Sequence, residues 1–439
     1  MTLLVCADVG STYTKVAVVD VASGALVATA AHPTTIRTDV LVGLDAAVAA
    51  AGGTGHPLYV CSSAGGGLRL AVVGYESLIT ARAGQQVGLS AGARVVHVSA
   101  GRLDTSAVLA LRAAKPDVIL LVGGTDGGDA EVLRHNAHRL ATARLRVPVV
   151  VAGNEVARDD VCAQLSGRGI PVTGTDNVLP RIGVLNPAPA RAAIRAVFLR
   201  HVIGGKKLSR GPRFVSLVRG ATPDVVLAGV EALADHLAAD LAVVDIGGAT
   251  TDVYSVLTPD AAARSGPRRA AAGTLWRSRT VEGDLGMRWS ATGVIEAALA
   301  ERLLDPDAVG ELADAAALRV ADPDHLPVDE AGRDLDARIA ALAATVALRR
   351  HGRERDLRDV RWLIGSGGVL RHAGAQRAAG ILATALGDHA GRWPLPRAAT
   401  AVLDADYVLA AAGLLAAEYP ATAVELLRSR LLNVPLISP

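Results

Sequence analysis

Phenylalanine and methionine each occur only twice in 439 residues, and aromatic side chains make up 3% of the chain. With so much Ala and Arg, that scarcity marks a GC-rich coding sequence. Lysine is rarer still among the charged residues. Of 45 basic positions only Lys15, Lys115, Lys206 and Lys207 are Lys, so a lysine inside a motif stands against its background. The three cysteines (Cys6, Cys61, Cys162) are far apart and sit in apolar, strand-like runs. That favours reduced, buried thiols over a disulfide framework or a zinc site. No apolar run approaches the roughly 20 residues of a membrane span, because Arg, Asp or Gly interrupts each one. There is no long basic run and the net charge is +2, so no nucleic-acid partner is expected. The N-terminal MTLLVCADVG has neither a charged n-region nor a small-residue cleavage site, so no signal peptide is expected. GxxxxGK[ST] is absent throughout. The expectation is a soluble, cytoplasmic protein with no membrane partner. With 51% hydrophobic and 20% charged residues it is globular, and its length calls for more than one core.

What is present is one short pattern written twice. Asp8 to Val16 reads DVGSTYTKV and Asp245 to Val253 reads DIGGATTDV. Each follows an apolar run (LLVCA, LAVV) and leads into another (VAVVD, VYSVL). Strand, Asp, Gly-rich turn and returning strand make a phosphate-loop arrangement, in which glycines permit positive φ and let backbone N–H groups approach an anion. An Asp there reaches phosphate only through a hydrated Mg²⁺. Read singly, either copy is also an ordinary hairpin turn. Two matched copies facing each other would supply two carboxylates and two sets of amides to one polyphosphate.

Residues 1–92 read as a first half: two strands around the motif, a helix (TDVLVGLDAAVAAAG) and a second hairpin, LYVCSSAGGGLRLAVVG, bent at Gly65–Gly67. From 93 to 185 short apolar runs (VVHVSAG, DVILLVGG, PVVVAGN) alternate with helical stretches, which predicts an inserted Rossmann-like module with a parallel sheet. Residues 186–439 read as a helical connection (NPAPARAAIRAVFLRHVI) and a second half containing the second motif. A polar stretch runs from 258 to about 285, and 305–335, rich in Asp and Pro, reads as a surface excursion. A third element, Trp362 to Arg371 (WLIGSGGVLR), runs from strand into GSGG and a helix, either to admit a flat ring against backbone or simply to pack closely.

This order of elements resembles the actin/Hsp70/sugar-kinase ATPase superfamily, an α/β fold of two actin-like (ribonuclease H-like) halves around a nucleotide cleft. The resemblance implies a first phosphate loop of Asp8, Gly10, Ser11, Thr12 and Lys15, and a second of Asp245, Gly247, Gly248 and Thr251. It implies an adenosine loop of Gly365, Gly367 and Gly368. ATP and Mg²⁺ are then the cofactors, with Asp8 and Asp245 as metal carboxylates and Lys15 as the phosphate cation. No general base is identified. The series GGTDGG, TDNVLPRIG, VDIGGATTDV, VEGDLGMRWSA and LIGSGGVLRH is more specific and resembles the glutamate mutase L family across nearly the whole chain. That implies an ATP-driven chaperone or reactivase whose partners are subunits of an adenosylcobalamin-dependent carbon-skeleton mutase. The cobalamin signature DxHxxG is absent, so the chain is not expected to be the mutase. A small-molecule kinase and a nucleotide-holding pseudo-ATPase remain as alternatives.

Four features stand outside that scheme. Gly123–Gly128 (GGTDGG) closes a strand of the inserted module, as an anion or partner loop or as a tight turn. His135 and His138 share a helix face with no third metal ligand evident. Asp104 and Asp126 lie near loops without an assignable role. RRHGRERDLR (349–358) reads as a solvated helix end or a docking surface.

Overall fold

The computed structural model describes residues 2–64, 68–76, 80–91, 93–203, 208–257, 276–353, 355–433 and 436–437. Four strands open the chain: β1 (Leu3–Val9), β2 (Tyr13–Asp20), β3 (Leu26–Pro33) and β4 (Leu58–Ser62). β1 and β2 are runs of Val, Leu and Ala buried on both faces, as strands inside a layered core must be. Five more strands follow: β5 (Arg69–Gly74), β6 (Arg94–Ala100), β7 (Val118–Leu121), β8 (Val149–Val151) and β9 (Val172–Gly174). They pair only in parallel, in the order β6-β5-β7-β8-β9. Next, β10 (Val218–Ala221) returns to the first sheet and pairs in parallel with β4. The last set is β11 (Leu241–Ile246), β12 (Thr251–Val256), β13 (Arg277–Glu282), β14 (Trp362–Ser366) and β15 (Thr400–Leu403).

The first sheet runs β10-β4-β1-β2-β3 and the second β13-β12-β11-β14-β15. Read from the motif strand outward they are the same sheet. β1 and β11 each pair antiparallel with the next strand, which pairs antiparallel with a third. On the other side each pairs in parallel with a strand that carries a second parallel neighbour. Repetition of a whole five-stranded unit is what the doubled motif foreshadowed, and the two sheets form the two halves of an actin-like fold.

The halves share a core. Leu4, Cys6 and Val19 of the first sheet and Val243, Tyr254 and Val256 of the second are buried in one cluster with the helices Thr222–Leu237 and Val408–Leu415. These two helices cross very closely. A Cβ on Gly413 would stand 1.8 Å from the Val225 carbonyl oxygen, and one on Gly229 would stand 2.5 Å from that of Leu409.

The structure corrects five readings. LYVCSSAGGGLRLAVVG is not a hairpin: β4 pairs in parallel with β1, so the chain leaves that sheet and β5 founds the third. Gly65–Gly67 lie outside the described residues. The parallel module therefore begins by Arg69 rather than at 93, and β10, beyond 186, completes the first sheet. In the polar stretch, residues 258–275 lie outside the described residues, whereas Arg277–Glu282 is an edge strand. In 305–335 the helix Gly310–Ala321 buries Leu312, Ala316 and Arg319 in the second half's core. Finally, 349–358 is no solvated end. Arg349 is 4% exposed and bonded to Asp388, and His351 is 1% exposed between Ser255 and Thr280.

Candidate functional site

The two Gly-rich turns are built alike. The Gly10 N–H donates to the Tyr13 carbonyl at 3.1 Å, and the Gly247 N–H donates to that of Thr250 at 2.9 Å. A Cβ on Gly10 would stand 2.8 Å from the Tyr13 oxygen, and one on Gly247 would stand 3.0 Å from the Thr250 oxygen. Neither glycine has a left-handed φ, so the expected reason for glycine is replaced by another, the closeness of the turn. The segment after β13 straps the second turn down. The Met287 N–H donates to the Gly247 carbonyl, those of Arg288 and Trp289 to Gly248, and Ser290 Oγ to Ala249. Ser11 and Thr12 stand exposed at the tip of the first turn, where the Thr12 carbonyl accepts from the Thr34 N–H.

Register fixes the charged residues. Asp8 faces Lys15 across β1–β2, and Asp245 faces Asp252 across β11–β12. Where the first copy sets a lysine, the second sets an aspartate, and Arg279 on β13 pairs with it at 2.8 Å. Lys15 is the point on which the halves converge. Burial alone would lower its pKa, but Asp8, Tyr407, Asp245 and Asp404 outweigh that and hold the ammonium above its ordinary value. Burial pushes Asp245 up to about 6, with Lys15 opposing and Asp252 and Asp8 adding to the rise. Asp8 Oδ1 accepts from Thr222 Oγ1, at the start of the crossing helix, and from the Cys61 thiol at 3.7 Å.

The third element joins them. β14 lies beside β11 with Ser366 in register with Asp245. Gly367 has φ +104, and a Cβ there would stand 2.2 Å from the Ile246 carbonyl, so glycine lets this loop rest on the second turn. Gly368 is the open position: a Cβ there would have only the Tyr407 hydroxyl within 4 Å, at 3.8 Å. Two assignments are corrected. Gly365 faces Leu370 and Leu382 inside the core, so it serves helix packing. Thr251 is fully buried and its hydroxyl donates to the Leu285 carbonyl, which leaves none for a ligand.

Sequence reasoning missed Asp404 and Tyr407. Asp404 directly follows β15, accepts from the Val408 and Leu409 N–H groups at 2.7 and 3.4 Å, and is raised to about 7 by burial against those amide bonds. Tyr407 lays its ring 3.9 Å from Lys15 Nζ. The signal was available: TAVLDADY repeats apolar strand followed by Asp, as at Asp8 and Asp245.

The other candidates are placed elsewhere. Asp104 caps the helix Thr105–Ala113 by accepting from the Ala107 N–H. Asp126 accepts from the Glu155 N–H and Asn177 Nδ2, which fixes the GGTDGG loop beside a groove of about 340 Å³ lined by Gly127, Gly128 and Arg134. His135 bonds the Leu103 carbonyl and His138 bonds Gln164. Among the described residues no group of three or more His, Cys, Asp or Glu could hold a metal by itself. No helix among them is long and apolar enough to cross a membrane.

Compared with known proteins, residues 4–431 match the family described as MutL protein. The chain belongs to the MutL protein family. Protein MutL of Clostridium tetanomorphum is 35% identical over 459 residues, covering 97% of this chain and 98% of that relative. This is the glutamate mutase L family that the sequence motifs resemble. Among solved structures, nucleotide-free acetone carboxylase is similar at a TM-score of 0.42 and 14% identity, over 95% of this MutL chain and 71% of its own. Component A of (R)-2-hydroxyglutaryl-CoA dehydratase from Acidaminococcus fermentans gives 0.33 and 11%, over 96% and 100%. Xylulose kinase from Bifidobacterium adolescentis gives 0.33 and 13%, over 100% and 95%.

Proposed function

We propose that this MutL-family chain is an ATP-hydrolysing accessory protein that services an adenosylcobalamin-dependent carbon-skeleton mutase in the cytoplasm. The observation that carries the reading is the convergence of two equivalent turns, one from each half, on a single ammonium: Asp8 and Asp245 both act on Lys15. The donor set fits a metal–nucleotide. Asp8, Asp245 and Asp404 all bear on one lysine, and burial together with their mutual repulsion raises Asp245 to about 6 and Asp404 to about 7, a repulsion that a divalent cation would relieve. Without a cage of three protein ligands, that cation would arrive with the phosphates.

MgATP supplies the phosphoanhydride to be hydrolysed. Asp8 and Asp245 would hold the hydrated Mg²⁺, and Lys15 would neutralise charge on the transferring phosphoryl group. The backbone of Gly10, Ser11, Thr12, Gly247 and Gly248 would line the phosphates. Gly368 would sit against the adenosine, with Gly367 supporting its loop. Coupling to a partner is favoured by the parallel module, which touches both halves. Its helix Thr80–Ser90 packs on β13, and the Arg94 guanidinium lies 3.3 Å from where a Cβ on Gly283 would stand. A change in the cleft would therefore move the module, and mutase affinity would differ between ATP and ADP states.

The test begins with MgATP turnover, which Asp8→Asn and Asp245→Asn should each slow by about 10²-fold or more. A co-encoded mutase is then inactivated and given this protein, ATP and free adenosylcobalamin. Recovery that is equal without ATP, or with D245N, refutes the reactivase reading.

A further inference from the structure

We infer that Tyr407 positions the Lys15 ammonium for the phosphates of a bound nucleotide, an inference that rests on the nucleotide reading above and deepens it. Lys15 Nζ stands 3.9 Å from the centroid of the Tyr407 ring, well inside the roughly 6 Å reach of a cation–π contact. The Arg371 guanidinium lies 4.7 Å from the centroid of the same ring. Arg371 belongs to the helix Gly368–His372 that follows the adenosine loop. One side chain thus bears on the lysine of the first turn and on the helix that begins at Gly368.

The backbone supports the assignment. Tyr407 has φ +55, a left-handed conformation that a bulky aromatic seldom adopts and that Asn or Gly takes readily. Helix capping does not require it, since Asp404 accepts the Val408 and Leu409 N–H groups at 2.7 and 3.4 Å. What the conformation achieves is the placement of the ring. A strained residue at the meeting point of two halves is the kind of outlier from which a functional role is argued.

Chemistry says why a ring serves here. A lysine on a flexible four-carbon stem beside Asp8 and Asp404 would settle against a carboxylate, and its charge would be spent. A ring face holds the ammonium without neutralising it, so its charge stays available to an incoming anion. The space is small as well. The gap bounded by Asp8, Lys15, Asp406 and Tyr407 is about 10 Å³, roughly one water, so the side chain has little room to swing. The ammonium is held before phosphate arrives, which is how preorganised electrostatic stabilisation works.

The experiment uses Y407F, which keeps the ring, and Y407N, which removes it but suits the left-handed backbone. With so few lysines in the chain, acylation of Lys15 in nucleotide-free protein can be read by mass spectrometry against Lys115 as internal reference. Lys15 labelling should rise at least about fivefold in Y407N and stay within about twofold of wild type in Y407F. In MgATP turnover, kcat should fall about tenfold in Y407N with a smaller change in KM, and Y407F should stay near wild type. Unchanged Lys15 labelling in Y407N, or a Y407F enzyme as impaired as Y407N, overturns the assignment. Failure of the wild type to bind MgATP removes the nucleotide reading itself and the positioning role with it. The labelling contrast needs no nucleotide, so the two failures are distinguishable.

Discussion

Replacing Asp245 by Asn should stabilise the nucleotide-free protein while slowing its turnover by about 10²-fold or more. Asp245 is only partly accessible, and burial together with Asp252 and Asp8 carries its pKa to about 6 from the ordinary 3.8. Below about pH 4 the carboxyl is protonated in folded and unfolded chains alike and costs nothing. From about pH 4 to 6 the unfolded chain ionises first, so stability falls with rising pH by about 1.4 kcal/mol per unit. Above pH 6 the whole of that difference, roughly 3 kcal/mol, has been lost. Asn keeps the shape and carries no charge, so D245N should gain about 2–3 kcal/mol at pH 7.5 and about 1 kcal/mol or less at pH 4.5. Urea unfolding of both proteins in EDTA, without nucleotide, reads the difference. Adding MgATP should reverse the order by stabilising wild type and leaving D245N unmoved. A D245N protein that is less stable at pH 7.5, or a difference that does not shrink toward pH 4.5, refutes the reasoning.

Three other outcomes follow from particular contacts. Lys15→Arg should impair MgATP turnover although charge is kept, because a wider, forked guanidinium overfills a gap of about 10 Å³ beside Asp8; steady-state kinetics that match wild type would place Lys15 outside the phosphate site. Burial holds the His351 pKa down at about 3, so stability is complete above about pH 6.5 and is lost as pH falls toward 3; about 3 kcal/mol should be gone by pH 4.5, and denaturation of His351→Gln should show that part of the slope removed. Gly413→Ala should destabilise by about 1–3 kcal/mol, since its methyl meets the Val225 carbonyl, whereas Gly380→Ala, in a helix with nothing within 4 Å, should stabilise by about 0.5–1 kcal/mol; equal thermal shifts in the two variants would contradict the close helix crossing.

Much of the site was legible because its parts are local. Asp8 and Lys15 meet through a two-strand register that the turn itself sets, and the second copy repeats it at Asp245. The alternation of short apolar runs with helices gave the parallel module for the same reason: each βα step is contiguous. Legibility failed where an apolar run could pair with more than one partner. LRLAVVG satisfies a hairpin with β4 as well as a parallel sheet with β6 and β7, and periodicity does not choose between them. It failed too for buried polar groups. Arg319 and Arg349 look like surface arginines until Asp336 and Asp388 are brought against them.

The sequence alone determined the unit and its duplication: strand, Asp, close glycine turn and returning strand, written twice with the same chemistry. These depend on side-chain alternation and on steric room within a few residues, which local order dictates. Only the tertiary structure decided that Tyr407 and Asp404, nearly four hundred residues beyond Lys15, stand around its ammonium. That meeting depends on two helices crossing at Gly229 and Gly413, where the absence of side chains lets the halves approach. A chain encodes such a crossing in the size of two distant residues, and their effect exists only once both surfaces are formed.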